Sequence, residues 1–108
     1  MNKVNIKPIS VNECYKGRRY RTPKYDKYEK DLRFILPKIV MPEPPYQIHF
    51  VFGLSSLSSD GDNCVKNTQD VISKHYGFND KLIKRWIIEV EKTKKGQEYF
   101  KFNLESLK

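Results

Sequence analysis

Tyr46-Gln47-Ile48-His49-Phe50-Val51-Phe52-Gly53-Leu54 sends Tyr46, Ile48, Phe50 and Phe52 to one side and Gln47, His49 and Val51 to the other. Successive side chains of an extended chain point to opposite faces, so this period of two marks a strand with one face in a core. A polar segment follows at residues 55–59, and Asp60-Gly61-Asp62-Asn63 then opens a different pattern. From there Cys64, Val65, Thr68, Val71 and Ile72 recur at helical spacing as far as about His75. Gly77 stands where a left-handed residue ends such a helix.

Working upstream, Thr22-Pro23 is a helix start with a mechanism. The Thr hydroxyl caps orphan amides, and Pro fits the first helical position because its missing donor costs nothing there. The helix runs to about Leu36 with Tyr25, Tyr28, Leu32, Ile35 and Leu36 on its apolar face, leaving Lys24, Lys27, Lys30 and Asp31 towards water. Pro37 stops it, and the proline-rich residues 41–45 form a stiff connector. Before the helix lie a short strand at residues 4–9, whose ladder Pro8 places at an edge or ends early, and a loop at residues 10–21. Downstream, a turn at residues 78–80 leads to a strand at 84–91, with Trp86, Ile88 and Val90 on one side assigned to the core. A hairpin loop at 93–97 and a return strand at 98–104 complete the chain. The order β-α-β-α-β-β predicts one α+β domain over residues 1–108, with a mixed β-sheet and two main helices packed on it.

At 108 residues, 38% hydrophobic and 13% aromatic, the chain suits one globular domain and not a disordered tail. Its net charge of +8 is unevenly placed. Residues 1–38 hold eleven Lys or Arg against four acids, a balance of +7, which leaves +1 for the remainder. Such a basic third is expected of a phosphate-binding surface, because neutralising phosphates releases counterions; nucleic acid is the leading partner, with an ordinary soluble basic surface as the alternative. Cys14 and Cys64 form no metal-ligand spacing with each other or with His49 and His75, which argues against zinc. His49, His75 and Cys64 read as structural or satisfied side chains. No secretory segment or membrane-spanning run stands out, so the expected compartment is a reducing cytoplasm, with no membrane partner.

Two segments carry chemistry. Asn12-Glu13-Cys14-Tyr15-Lys16-Gly17-Arg18-Arg19-Tyr20-Arg21 interleaves cations with aromatics, so Lys16, Arg18, Arg19 and Arg21 are candidate DNA-binding residues, against the alternative of an exposed basic loop. The second is Asp60-Gly61-Asp62-Asn63. In an extended segment the two carboxylates project the same way, with alpha carbons roughly 6–7 Å apart, within reach of one hard cation such as Mg²⁺. Such a cation polarises a phosphodiester and generates a hydroxide nucleophile near neutral pH. Lys66 lies one helical turn beyond Asp62 and Asp70 one turn further on. Asp80, at the turn into a strand, is a candidate third carboxylate. Taken alone, the acidic tetrapeptide is more often a solvated helix cap.

The whole spacing, Asp60-x-Asp62-Asn63-x-x-Lys66-x-x-x-Asp70 with Asp80 after a Gly-Phe-Asn turn, resembles the RusA family of Holliday junction resolvases found in bacteria and their prophages. So does Asn12-x-x-Tyr15-x-Gly17-Arg18-Arg19 followed by Thr22-Pro23 and a Tyr-containing helix. The resemblance covers most of the chain, though Ser55 and residues 56–59 stand where some members carry arginines. It implies a homodimeric endodeoxyribonuclease, dependent on Mg²⁺ with Mn²⁺ able to substitute. Its substrate would be branched DNA, a four-way junction cut by paired symmetric nicks in recombination and repair. It further implies a metal site of Asp60, Asp62 and Asp80, Lys66 as the essential cation, and a bacterial or phage-encoded origin; Asp70, next along the Lys66 stripe, is a candidate supporting residue. Two readings stand beside it: a related nuclease acting on other branched DNA, and a non-catalytic DNA-binding protein.

Overall fold

The computed structural model describes residues 1–17, 20–56 and 62–107, with the backbone alone for 62 and 63. In chain order it forms β1 (Asn2–Val4), β2 (Tyr15–Lys16), β3 (Tyr20–Arg21), α1 (Pro23–Ile35), β4 (Tyr46–Leu54), α2 (Asp62–Tyr76), β5 (Ile83–Lys92) and β6 (Tyr99–Ser106). The main sheet has the order β1-β6-β4-β5, and β2 pairs with β3 in a small separate ribbon. β4 is parallel to β5 and antiparallel to β6, which is antiparallel to β1, so the domain is α+β with a mixed sheet as expected.

The apolar face of β4 explains its central place. Ile48, Phe50 and Phe52 lie opposite Leu104, Phe102 and Phe100 of β6, all buried. Burying each such ring or aliphatic chain contributes about 1.5–3 kcal/mol. Tyr25, Tyr28, Leu32 and Leu36 of the α1 region and Cys64, Val71 and Ile72 of α2 belong to the same core cluster. The other face of the ladder, with Gln47, His49, Lys101 and Asn103, is partly open to water, and His49 is satisfied by Glu89. Helices and sheet therefore make two layers.

Both ends of α1 and the last turn of α2 have local causes. Thr22 caps α1, its Oγ1 accepting from Tyr25 N at 3.2 Å, with Pro23 in the first turn. The last turn closes through Leu36 N to Leu32 O at 2.9 Å before Pro37. Gly77 ends α2 at φ +73°, with its own N–H and that of Phe78 both donating to Ser73 O. A side chain in that left-handed region is strained, which is why glycine suits the position. A buried hydrogen bond of 2.8 Å between the hydroxyls of Tyr28 and Thr68 ties α1 to α2.

Several expectations are corrected. The first strand is Asn2–Val4 and not residues 4–9, because Ile6 N turns back to Val4 O at 3.0 Å; Ile9 then packs into the core. The loop at 10–21 contains a 3-10 turn (Val11–Glu13) and the β2–β3 ribbon. Ile35 is 43% exposed instead of packed. The strands flanking residues 93–97 do not form a hairpin pair, since β4 lies between β5 and β6. β4 is buried and needs ladder partners on both edges; the connection crosses its end, where Thr93 N bonds Leu54 O at 2.9 Å. Trp86, Ile88 and Val90 are 45%, 40% and 37% exposed and not core, because β5 is an edge strand that the helices cover incompletely.

Candidate functional site

The crossover from β4 to β5 sets the site. α2 starts after β4, its first residue being Asp62, and delivers the chain to a 3-10 turn (Asp80–Leu82) just before β5. Asn79 caps that turn, its side chain accepting from Lys81 N at 2.9 Å, which fixes Asp80 at the turn's start. Lys66 and Asp70 lie one turn apart on α2, and with Asp80 they line a cleft of about 150 Å³. Tyr15, Tyr25, Asn67 and Gln69 complete its wall. Residues far apart in sequence are thus brought together: the β2 strand, one face of α2 and the turn before β5. A more open groove adjoins it, lined by Val11, Asn12, Tyr15, Gly17 and Lys66. Tyr15 and Lys66 belong to both, so one surface runs from the basic ribbon to Asp80.

Lys66 is exposed, so its ammonium is available to an anion in the cleft. Asp70 is committed to its neighbours: it accepts from the Tyr25 hydroxyl at 3.3 Å and pairs with Lys74 at 3.2 Å. Lys74 also approaches Glu29 at 3.7 Å, and Glu29 pairs with Arg21 at 3.3 Å. Burial, and then the charge of Asp70, push the Tyr25 hydroxyl well above the ordinary phenol range, so it remains a donor to Asp70. Asn67 is 1% exposed, and its Nδ2 has no hydrogen-bond partner among the described residues. Cys14, fully buried below the ribbon, has its thiol pushed up to about 11 by burial and by the charge of Glu13, which makes it a poor nucleophile at neutral pH.

The remaining sequence candidates divide. Asp60, Arg18 and Arg19 lie outside the described residues, and Asp62 is placed by its backbone at the first turn of α2. Lys16 is exposed on β2. Arg21 is largely engaged within the fold: its Nε lies 3.0 Å from Asp26, its guanidinium also pairs with Glu29, and it stacks over the Tyr25 ring at 4.0 Å. Among the described residues no three carboxylate, imidazole or thiol groups converge as a metal site. Mg²⁺ is commonly held by only one or two carboxylates, with water and substrate phosphate completing its shell. Asp80 brings one such carboxylate to the cleft.

No protein-family model and no curated protein matches this chain. Its chemistry therefore rests on its own residues. Gln69 and Asn67 are cleft residues that spacing did not single out. Gln69 had a signal, since it shares the helical face of Lys66 at three residues' distance. Asn67 had none, because its place depends on how α2 sits against its neighbours.

Proposed function

We propose that the chain is a Mg²⁺-dependent endodeoxyribonuclease selective for branched DNA, cutting four-way junctions as a homodimer by paired symmetric nicks. What carries the reading is the meeting of Lys66 and Asp80 in one cleft, beside Tyr15 of the basic ribbon and next to the helix that Asp62 begins. A helix start favours anions through its unpaired N–H groups and dipole, and Lys66 in the cleft lining adds a cation that suits a phosphodiester. Asp60, Asp62 and Asp80 would hold Mg²⁺ or Mn²⁺, which when bound polarises the phosphate and lowers the pKa of attacking water. Lys66 supplies fixed positive charge where negative charge develops on the phosphate. Asp70 orients the wall through Tyr25 and Lys74. Lys16 and Arg18 to Arg21 would carry the DNA arms, with Arg21 also bracing α1. Two equivalent cuts in a two-fold substrate call for two sites related by a dimer axis. The setting proposed is the cytoplasm of a bacterium or phage-infected cell, in recombination and repair. Among the described residues no helix is long and apolar enough to cross a membrane.

The test is incubation of an immobile synthetic four-way junction with the protein, in Mg²⁺ and in chelator. Paired nicks at symmetric positions, only with metal, are expected. An intact junction under both conditions, bound but uncut, would replace this reading with that of a DNA-binding protein whose acidic segment is a cap. Nicks confined to flaps or forks would keep the carboxylates and change the substrate.

A further inference from the structure

The longest strand of the sheet is also its unpartnered edge. β5 spans ten residues, and nothing among the described residues pairs with its outer side. Trp86, Ile88 and Val90 share the face of Ile48, Phe50 and Phe52, where helices cover the sheet, yet all three are more than a third exposed; Ile87 on the reverse face is as well. A long open edge is a template for another strand, and proteins that leave one open usually blunt it with Pro, a bulge or charged side chains, Lys above all. β5 contains no Pro, its register shift against β4 lies at its very start, and its charges are of both signs, so they repel a like-charged strand but not one of complementary order.

We infer that β5 joins β5 of a second copy of this chain, antiparallel and centred on Ile87, making one continuous eight-stranded sheet. The order of charges along the strand selects that occupant. Its first half carries Lys84 and Arg85 and its second half Glu89 and Glu91 before the terminal Lys92, so an antiparallel copy brings opposite charges together. Centred on Ile87, Arg85 of each copy faces Glu89 of the other, and Trp86 faces Ile88. Centred one residue later, the Arg85 and Glu91 pairs would be offset by Lys84 opposing Lys92 in both halves. The Glu89 side chain is 58% exposed, so its contact with His49 leaves it open to a second partner. The Trp86, Ile88 and Val90 stripes of both copies then fill the valley between the two α2 helices, where water now reaches them.

The two-fold axis of an antiparallel strand pair stands perpendicular to the sheet, so both α2 helices and both clefts fall on the same face. Gln69 connects the two features: it lines the cleft and accepts from the Trp86 indole N–H at 2.7 Å. This inference rests on the dimer in the proposed function and names its surface, but oligomeric state decides it independently of cleavage.

The test is mass by light scattering and sedimentation in low salt for the full chain and three charge variants, each checked for native circular dichroism. The wild type should be a dimer. Arg85→Glu and Glu89→Arg should each weaken dimerisation about tenfold, because two attractive pairs become repulsive, and the double variant should recover it. A monomeric wild type overturns the inference and leaves the strip to a different protein, as does a dimer that neither single variant weakens or the double fails to rescue. Junction cleavage on the same samples separates the two readings. A dimer weakened and rescued in this way that does not cut in Mg²⁺ keeps the interface and removes the nuclease; a cutting monomer does the reverse.

Discussion

Tyr28 and Thr68 form the buried hydrogen bond between the two helices whose relative position shapes the cleft. Their hydroxyls are 2.8 Å apart, with Tyr28 6% and Thr68 0% exposed. Tyr28→Phe removes one hydroxyl and leaves the other buried without that partner. Stranding a buried polar group costs about 1–3 kcal/mol, well above the ~1 kcal/mol net worth of an average hydrogen bond. Thr68→Val strands the Tyr28 hydroxyl in the same way, and its replacement is nearly isosteric, so a cavity adds little. The double variant has neither hydroxyl to desolvate and should stand within about 1 kcal/mol of wild type. For a domain near this size each kcal/mol moves the melting temperature by roughly 4–8 °C. Urea unfolding followed by circular dichroism, at one fixed protein concentration, gives the four stabilities of the cycle. The singles should be clearly destabilised and the double largely restored. A double variant as unstable as the sum of its singles would show that the pair is not coupled and would refute the reasoning.

Asp80→Asn, Asp62→Asn and Lys66→Ala should each abolish junction cleavage; the two Asn variants should bind the junction as tightly as wild type or more so in a mobility-shift assay, since repulsion between carboxylate and phosphate is relieved. Lys16→Ala should weaken junction binding and flatten its salt dependence with an unchanged melting temperature, whereas Arg21→Gln should also lower stability, because Arg21 braces Asp26, Glu29 and the Tyr25 ring. Gly77→Ala should cost about 1–2 kcal/mol in urea unfolding, the strain of an L side chain at φ +73°. The Cys14 thiol ionises at a higher pH in the folded chain than unfolded, so its stabilising contribution is complete below about pH 9 and lost as pH rises to about 11. The urea midpoint should fall across that interval, and less steeply in Cys14→Ala.

α1, α2 and β4 were readable from local chemistry alone. A Thr-Pro start, a Gly stop and apolar periods of 3.6 or two are written into consecutive residues, because caps, turns and side-chain direction depend on neighbours a few positions away. The same locality placed Asp62, Lys66 and Asp70 along one helix and Asp80 at a turn. Strand neighbours were not readable in this way. β5 and β6 are joined by a short loop and resemble a hairpin, but β4 takes the place between them because its buried ladder must be satisfied from both sides. For the same reason Trp86, Ile88 and Val90, apolar at a strand's period, ended on an open edge: alternation tells which residues share a face, but not whether anything covers it. The cleft too is a product of packing. Tyr15, Lys66 and Asp80 meet because α2 crosses from β4 to β5 beside the ribbon, and no spacing within the chain encodes that distance. The engagement of Arg21 and Asp70 with internal partners became visible only once α1 and α2 lay side by side.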